Sequence, residues 1–126
     1  MAHFILDHSG NLSTSDINAK VLFSALHKAM DESGIFPLAG LRSRVLRADE
    51  YYVANGDENM AYIHLNFRIG PGRSDEELTG AFTLIKELVL QHFDSLMQGQ
   101  AVALSIEMSE LPEKLRHNAN NIRQYL

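Results

Sequence analysis

The chain has 126 residues, 45% of them hydrophobic, with no cysteine and a formal net charge of -5. That length suits one domain with a sheet-and-helix core. The missing cysteines exclude disulfides and thiolate metal sites and fit a cytoplasmic protein, and an acidic chain without a basic block is a poor nucleic-acid binder.

His3 to Asp7 is a short apolar run that predicts a first strand beginning almost at residue one. The segment Met1 to Asp7 has neither the basic start nor the long apolar region of a signal peptide. No apolar run later in the chain approaches the ~18 residues of a membrane span. Residues 8–15, with Gly10, Asn11 and several hydroxyl side chains, read as a loop. Ser13 and Asp16 are spaced to cap a helix. Ile17, Val21, Ala25 and Ala29 form its apolar stripe, widened by Leu22, Leu26 and Met30, and Ser33-Gly34 ends it.

The hydrophobic turn Ile35 to Gly40 leads into a strand from Leu41, expected to extend as far as Val53, with Arg42, Arg44 and Leu46 on one side. Asn55-Gly56-Asp57 is a hairpin signal that returns the chain antiparallel into the next strand. There Ala61, Ile63, Leu65, Phe67 and Ile69 alternate with Tyr62, His64, Asn66 and Arg68, the period of a half-buried strand. Pro71 and two glycines stop it, and Ser74 with Glu77 makes a capping box. Leu78, Ala81, Phe82, Ile85, Leu88, Val89, Phe93 and Leu96 then follow at helical spacing as far as Gly99. Ala101 to Met108 is a last strand, broken at Leu111-Pro112, and the tail with Asn118, Asn120 and Asn121 is loop or short helix.

The order is one β-α-β unit, a hairpin and a second β-α-β unit. Residues 1–126 thus read as a single α+β domain with halves at about 1–54 and 58–109 and a C-terminal tail. Right-handed crossovers place both helices on one face of a mixed sheet. The other face is either wet or packed against other subunits.

Arg73 precedes a helix N-terminus, where backbone N–H groups and a guanidinium together favour a carboxylate or phosphate. A surface arginine beside a turn is the alternative. Arg42, Arg44 and Arg47 fall within six residues, a grouping that marks either an anionic ligand or salt bridges to the many acids. His27 and His92 lie on helices and read as packed or exposed imidazoles, whereas His3 and His64 lie on strands and could face a cleft. Asp7 and Glu107 are strand carboxylates. No paired-histidine metal motif, nucleophile elbow or phosphate loop is present. The α-amine, held by a strand that starts at the terminus, is a candidate general base.

Gly34 to Arg44 (GIFPLAGLRSR) and Ile69 to Ser74 (IGPGRS), with weaker support from Leu104 to Glu107 and the late asparagines, resemble the 5-carboxymethyl-2-hydroxymuconate isomerase family of the tautomerase superfamily. The resemblance runs over nearly the whole chain. It implies a homotrimer with sheets inward and helices outward. It also implies metal-free and cofactor-free tautomerisation of an unsaturated dicarboxylic acid in aromatic catabolism. Arg42 and Arg73 match the arginines expected to hold the substrate carboxylates, with His3 and Phe36 as further binding residues. The family acts through an amino-terminal proline exposed by loss of the initiator Met. Ala2 stands in that place, so its amine is the expected base once Met1 is removed. The alternative is a weak or silent tautomerase-fold protein that binds a small dicarboxylate.

Overall fold

β1 (Ala2–Ser9) runs through the middle of a four-stranded sheet. β2 (Leu41–Ala48) lies parallel to it on one side, and β3 (Met60–Ile69) antiparallel on the other. β4 (Ala101–Glu110) pairs in parallel with β3. The computed structural model describes Met1–Leu126. Each parallel pair is joined by a helical crossover, so both helices, α2 (Ala19–Glu32) and α3 (Asp75–His92), cover the same sheet face. This is the mixed sheet with helices on one side that the β-α-β order predicts.

The core lies between these layers. Phe4 and Leu6 of β1 and Ala61, Ile63, Leu65, Phe67 and Ile69 of β3 are fully buried beneath Leu22, Leu26 and Met30 of α2 and Ala81, Ile85 and Val89 of α3. Strand alternation puts every second side chain into that layer. Phe4 and Phe67 stack across the central strand pair with centroids 4.0 Å apart.

Several expectations need correction. The first helical stretch is two helices, α1 (Thr14–Ile17) and α2, broken at Asn18, which adopts φ 47°. The break shifts the helix phase, so Leu22, Leu26 and Met30 form the buried stripe while Val21 and Ala25 are exposed. β2 stops at Ala48, not Val53, because its only partner, β1, ends at Ser9. Residues 49–59 do not make a hairpin: β1 lies between β2 and β3. Asn55 and Asp57 instead cap local turns of a longer connection, donating no strand pairing. The second long helix also divides, at Phe93, with α4 (Asp94–Gly99) continuing it.

The uncovered sheet face is mostly polar. Tyr62 donates to Asp7 Oδ1 at 2.7 Å, His64 Nε2 lies 3.1 Å from Glu107 Oε1, and Ser109 donates to Asn66 Oδ1 at 2.9 Å. Burial, with the bond to Asp7, pushes the Tyr62 phenol up to about 12. Leu46 is 48% exposed on the same face. No helix is long and apolar enough to cross a membrane.

Candidate functional site

The site lies where the start of β1, the start of β2 and the end of β3 meet. β1 begins beside Leu41 and Ile69, its cross-strand partners at Ala2. The backbone N–H of Gly70 donates to Met1 O at 3.1 Å and holds the terminus in line. The 3-10 turn Leu38–Gly40 closes the other side: a Cβ at Gly40 would stand 3.5 Å from the Met1 nitrogen. The terminal amine is therefore held rather than frayed. Burial lowers its pKa below the usual terminal value, and the charges of Arg73, Arg42 and Arg116, in that order, lower it further.

Arg42 projects from β2 on the uncovered face beside His3, its register partner. Its Nε and Nη2 are buried and have no hydrogen-bond partner in the protein. A guanidinium buried with its donors unmet is costly unless an anion completes it. No arginine in the chain lies within 4.0 Å of a carboxylate, since the ion pairs are Lys28–Glu32 and His64–Glu107 alone. The salt-bridge explanation of the arginine grouping therefore fails.

Arg73 is placed differently from the exposed turn the sequence suggests. It donates through Nε and Nη2 to Ile35 O at 3.3 and 3.0 Å and through Nη1 to Gly70 O at 3.1 Å. Its guanidinium lies 4.1 Å over the Phe36 ring. Burial lowers its pKa, opposed by Glu77 and Glu110. The capping box is formed as expected, with Ser74 and Glu77 bonding each other's backbone N–H, and it fixes the turn that carries Arg73.

Phe36 is 1% exposed and packs against Phe67 at 5.1 Å. It is the platform beneath Arg73, not a surface open to a ligand. His3 faces the uncovered side with Nδ1 3.4 Å from Arg44 Nη1. Burial, then Arg42, Arg44, the terminal amine and Arg68, lower its pKa, so the neutral imidazole is favoured. Ala2 is 3% exposed, its methyl in the core and its backbone in the ladder. The structure thus gathers the amine end of β1, His3, Arg42 and Arg73. Asp7, His64 and Glu107 lie in register rows further along the sheet.

Two residues near the site escaped sequence reasoning. Asn120 donates to Ala39 O at 2.7 Å, and Arg116 acts on the amine. The run of asparagines in the tail was their only signal. Nothing in the chain groups three or more metal-ligating side chains. None of the larger clefts includes the amine; the largest, about 550 Å³, follows α2 past Phe23, His27 and Leu38. The site is an open, cationic corner at the sheet end.

A family model for 5-carboxymethyl-2-hydroxymuconate isomerase matches residues 2–126. A 5-carboxymethyl-2-hydroxymuconate Delta-isomerase from Escherichia coli is 38% identical over 122 residues, covering 97% of this chain and 96% of that one. The crystal structure of a 5-carboxymethyl-2-hydroxymuconate isomerase from Deinococcus radiodurans R1 matches with a TM-score of 0.87 at 30% identity, over 99% of this chain and 94% of that one. A fused 4-OT protein described as a symmetric trimer shares the fold, with a TM-score of 0.60 at 19% identity over 93% of this chain and 91% of its own.

Proposed function

The chain belongs to the 5-carboxymethyl-2-hydroxymuconate isomerase family, and from that membership we propose that it isomerises 5-carboxymethyl-2-hydroxymuconate or a close unsaturated 2-hydroxy polycarboxylate in aromatic catabolism. The observation that carries this reading is the buried, unpartnered Nε and Nη2 of Arg42 beside the terminal amine. That arrangement suits a substrate with carboxylates at one end of a conjugated system and a mobile proton nearby.

In the proposed reaction Arg42 receives a substrate carboxylate through its free donors. A charge-assisted pair of this kind orients as well as binds. Arg73, already fastened to Ile35 O and Gly70 O, contributes its fixed charge and its remaining N–H groups. Removal of Met1 vacates the space between Gly40 and Gly70 and exposes the Ala2 amine. Ala2 is small, the kind of residue before which an initiator Met is cleaved.

The neutral amine takes the 2-hydroxyl proton, the electron pair moves along the conjugated system, and the ammonium returns the proton to the distal carbon. One O–H bond breaks, one C–H bond forms, and nothing is oxidised or reduced. The surrounding cations stabilise the enolate-like charge and favour the neutral form of the amine. The proposed assembly is a homotrimer in the cytoplasm. The uncovered sheet face with Leu46, and a site left open at the sheet end, favour completion by further copies.

A second reading has its own support. Ala2 replaces a rigid secondary amine by a primary, more mobile one, so a dicarboxylate binder of low activity is the alternative. Proton NMR of the purified protein with 5-carboxymethyl-2-hydroxymuconate separates the two. Growth of the distal C–H signal at a rate proportional to protein, and a faster rate in Ala2→Pro, support the isomerase. Binding without turnover in either protein leaves the binder.

A further inference from the structure

The tail beyond β4 is held to the body of the chain at its two ends. Leu111 N donates to Ile69 O at 2.6 Å where β3 and β4 finish, and Pro112 prevents further ladder pairing. Nine residues on, Asn120 Nδ2 donates to Ala39 O at 2.7 Å in a half-buried contact. Asn120 Oδ1 accepts from Ile122 N at 2.9 Å, which fixes its amide for that bond. Ala39 belongs to the turn whose next residue, Gly40, packs on the terminal nitrogen. Between these anchors the tail is exposed, and its path bends at Leu115, which is 100% exposed and has φ 59°. No packing imposes that left-handed conformation on a bulky side chain. The next residue is Arg116.

We propose that the tail is a strap across the mouth of the site, fastened by Asn120, and that Arg116 on it is a specificity arm for a carboxylate beyond those held by Arg42 and Arg73. Arg116 has no carboxylate partner of its own within 4.0 Å, and its charge already reaches the amine. The substrate named above has three carboxylates, two from the muconate and one from the carboxymethyl group. Arg73 has spent most of its donors on the backbone, so an additional arm is what a third carboxylate needs. The inference rests on the proposed function for the identity of the ligand, and on the tail geometry for the arm.

Calorimetric binding of two stable probes tests it: tricarballylate, with three carboxylates, and glutarate, with two. The parent binds tricarballylate more tightly. Arg116→Gln, at an exposed position, keeps its melting temperature and loses about fivefold for tricarballylate, while glutarate shifts by less than roughly twofold. Asn120→Ala produces the same pattern, and the double variant adds nothing. Equal losses for both probes, no loss, or an Asn120→Ala chain that keeps the full preference would overturn the strap. Turnover measured in parallel separates the two proposals. An active isomerase without the preference loses the arm and keeps its function; a protein with the preference and no turnover loses the isomerase and keeps the arm.

Discussion

Arg42 and Arg73 both act on the terminal amine and are bonded in opposite ways. Arg42 has buried donors with no protein partner, whereas Arg73 ties two backbone carbonyls and covers Phe36. Arg42→Ala should therefore weaken a dicarboxylate by about 1.5–3 kcal/mol with little change in stability, and Arg42→Lys should recover only part. Arg73→Ala should lose binding and also about 1–3 kcal/mol of stability, read by urea unfolding, since Ile35 O and Gly70 O lose a charged donor. Each loss also moves the acid limb of kcat/KM upward. These cations disfavour the protonated amine, so removing one raises the amine pKa and delays its neutral form to higher pH. Stability unchanged in Arg73→Ala would mean its backbone bonds contribute nothing. The two roles were not separable in the sequence: the carbonyl Arg73 holds lies 38 residues away.

The local devices were legible before the fold was known. Alternation over Ala61–Ile69 and the Ser74–Glu77 box depend on neighbours within a few positions, and both are formed. Strand order is non-local, and there the local signal misled: Asn-Gly favours a hairpin, yet β1 is inserted between β2 and β3. The break at Asn18 was also hidden, because one asparagine inside a helical pattern does not declare its φ. Its left-handed conformation sets which face of α2 is buried, through Leu22 and its stripe. Asn18→Ala should cost about 1–2 kcal/mol in thermal or urea unfolding, while Asn18→Gly stays near neutral. Equal stability of all three chains would show that the kink imposes no backbone cost.

Taken together, the layers leave one sheet face without a helical cover, carrying Asp7, Tyr62, His64 and Glu107 in bonded pairs and Leu46 in the open. The acidic chain places Arg42, Arg68 and Arg73 at one end of that sheet, against the sign of its net charge. Trimer assembly would cover the face and enclose the corner. Light scattering at micromolar concentration should give three times the 14.1 kDa chain mass, and Leu46→Glu should shift the distribution toward smaller species. A parent that stays monomeric removes the assembly. The tail was the least legible part: asparagines and charges read as a solvated end, and only the 2.7 Å contact with Ala39 ties it to the site.

The amine of residue 2 as base is tested most directly by comparing chains shown by intact mass to begin at Ala2 with otherwise identical chains that keep Met1. Retention moves the amine by up to about 3.8 Å, beyond the ~3.2 Å reach of proton transfer. Isomerisation of 5-carboxymethyl-2-hydroxymuconate should be about 10²–10⁴-fold faster in chains that begin at Ala2. Equal rates in the two forms would contradict the amine as base and assign the proton transfer to a side chain.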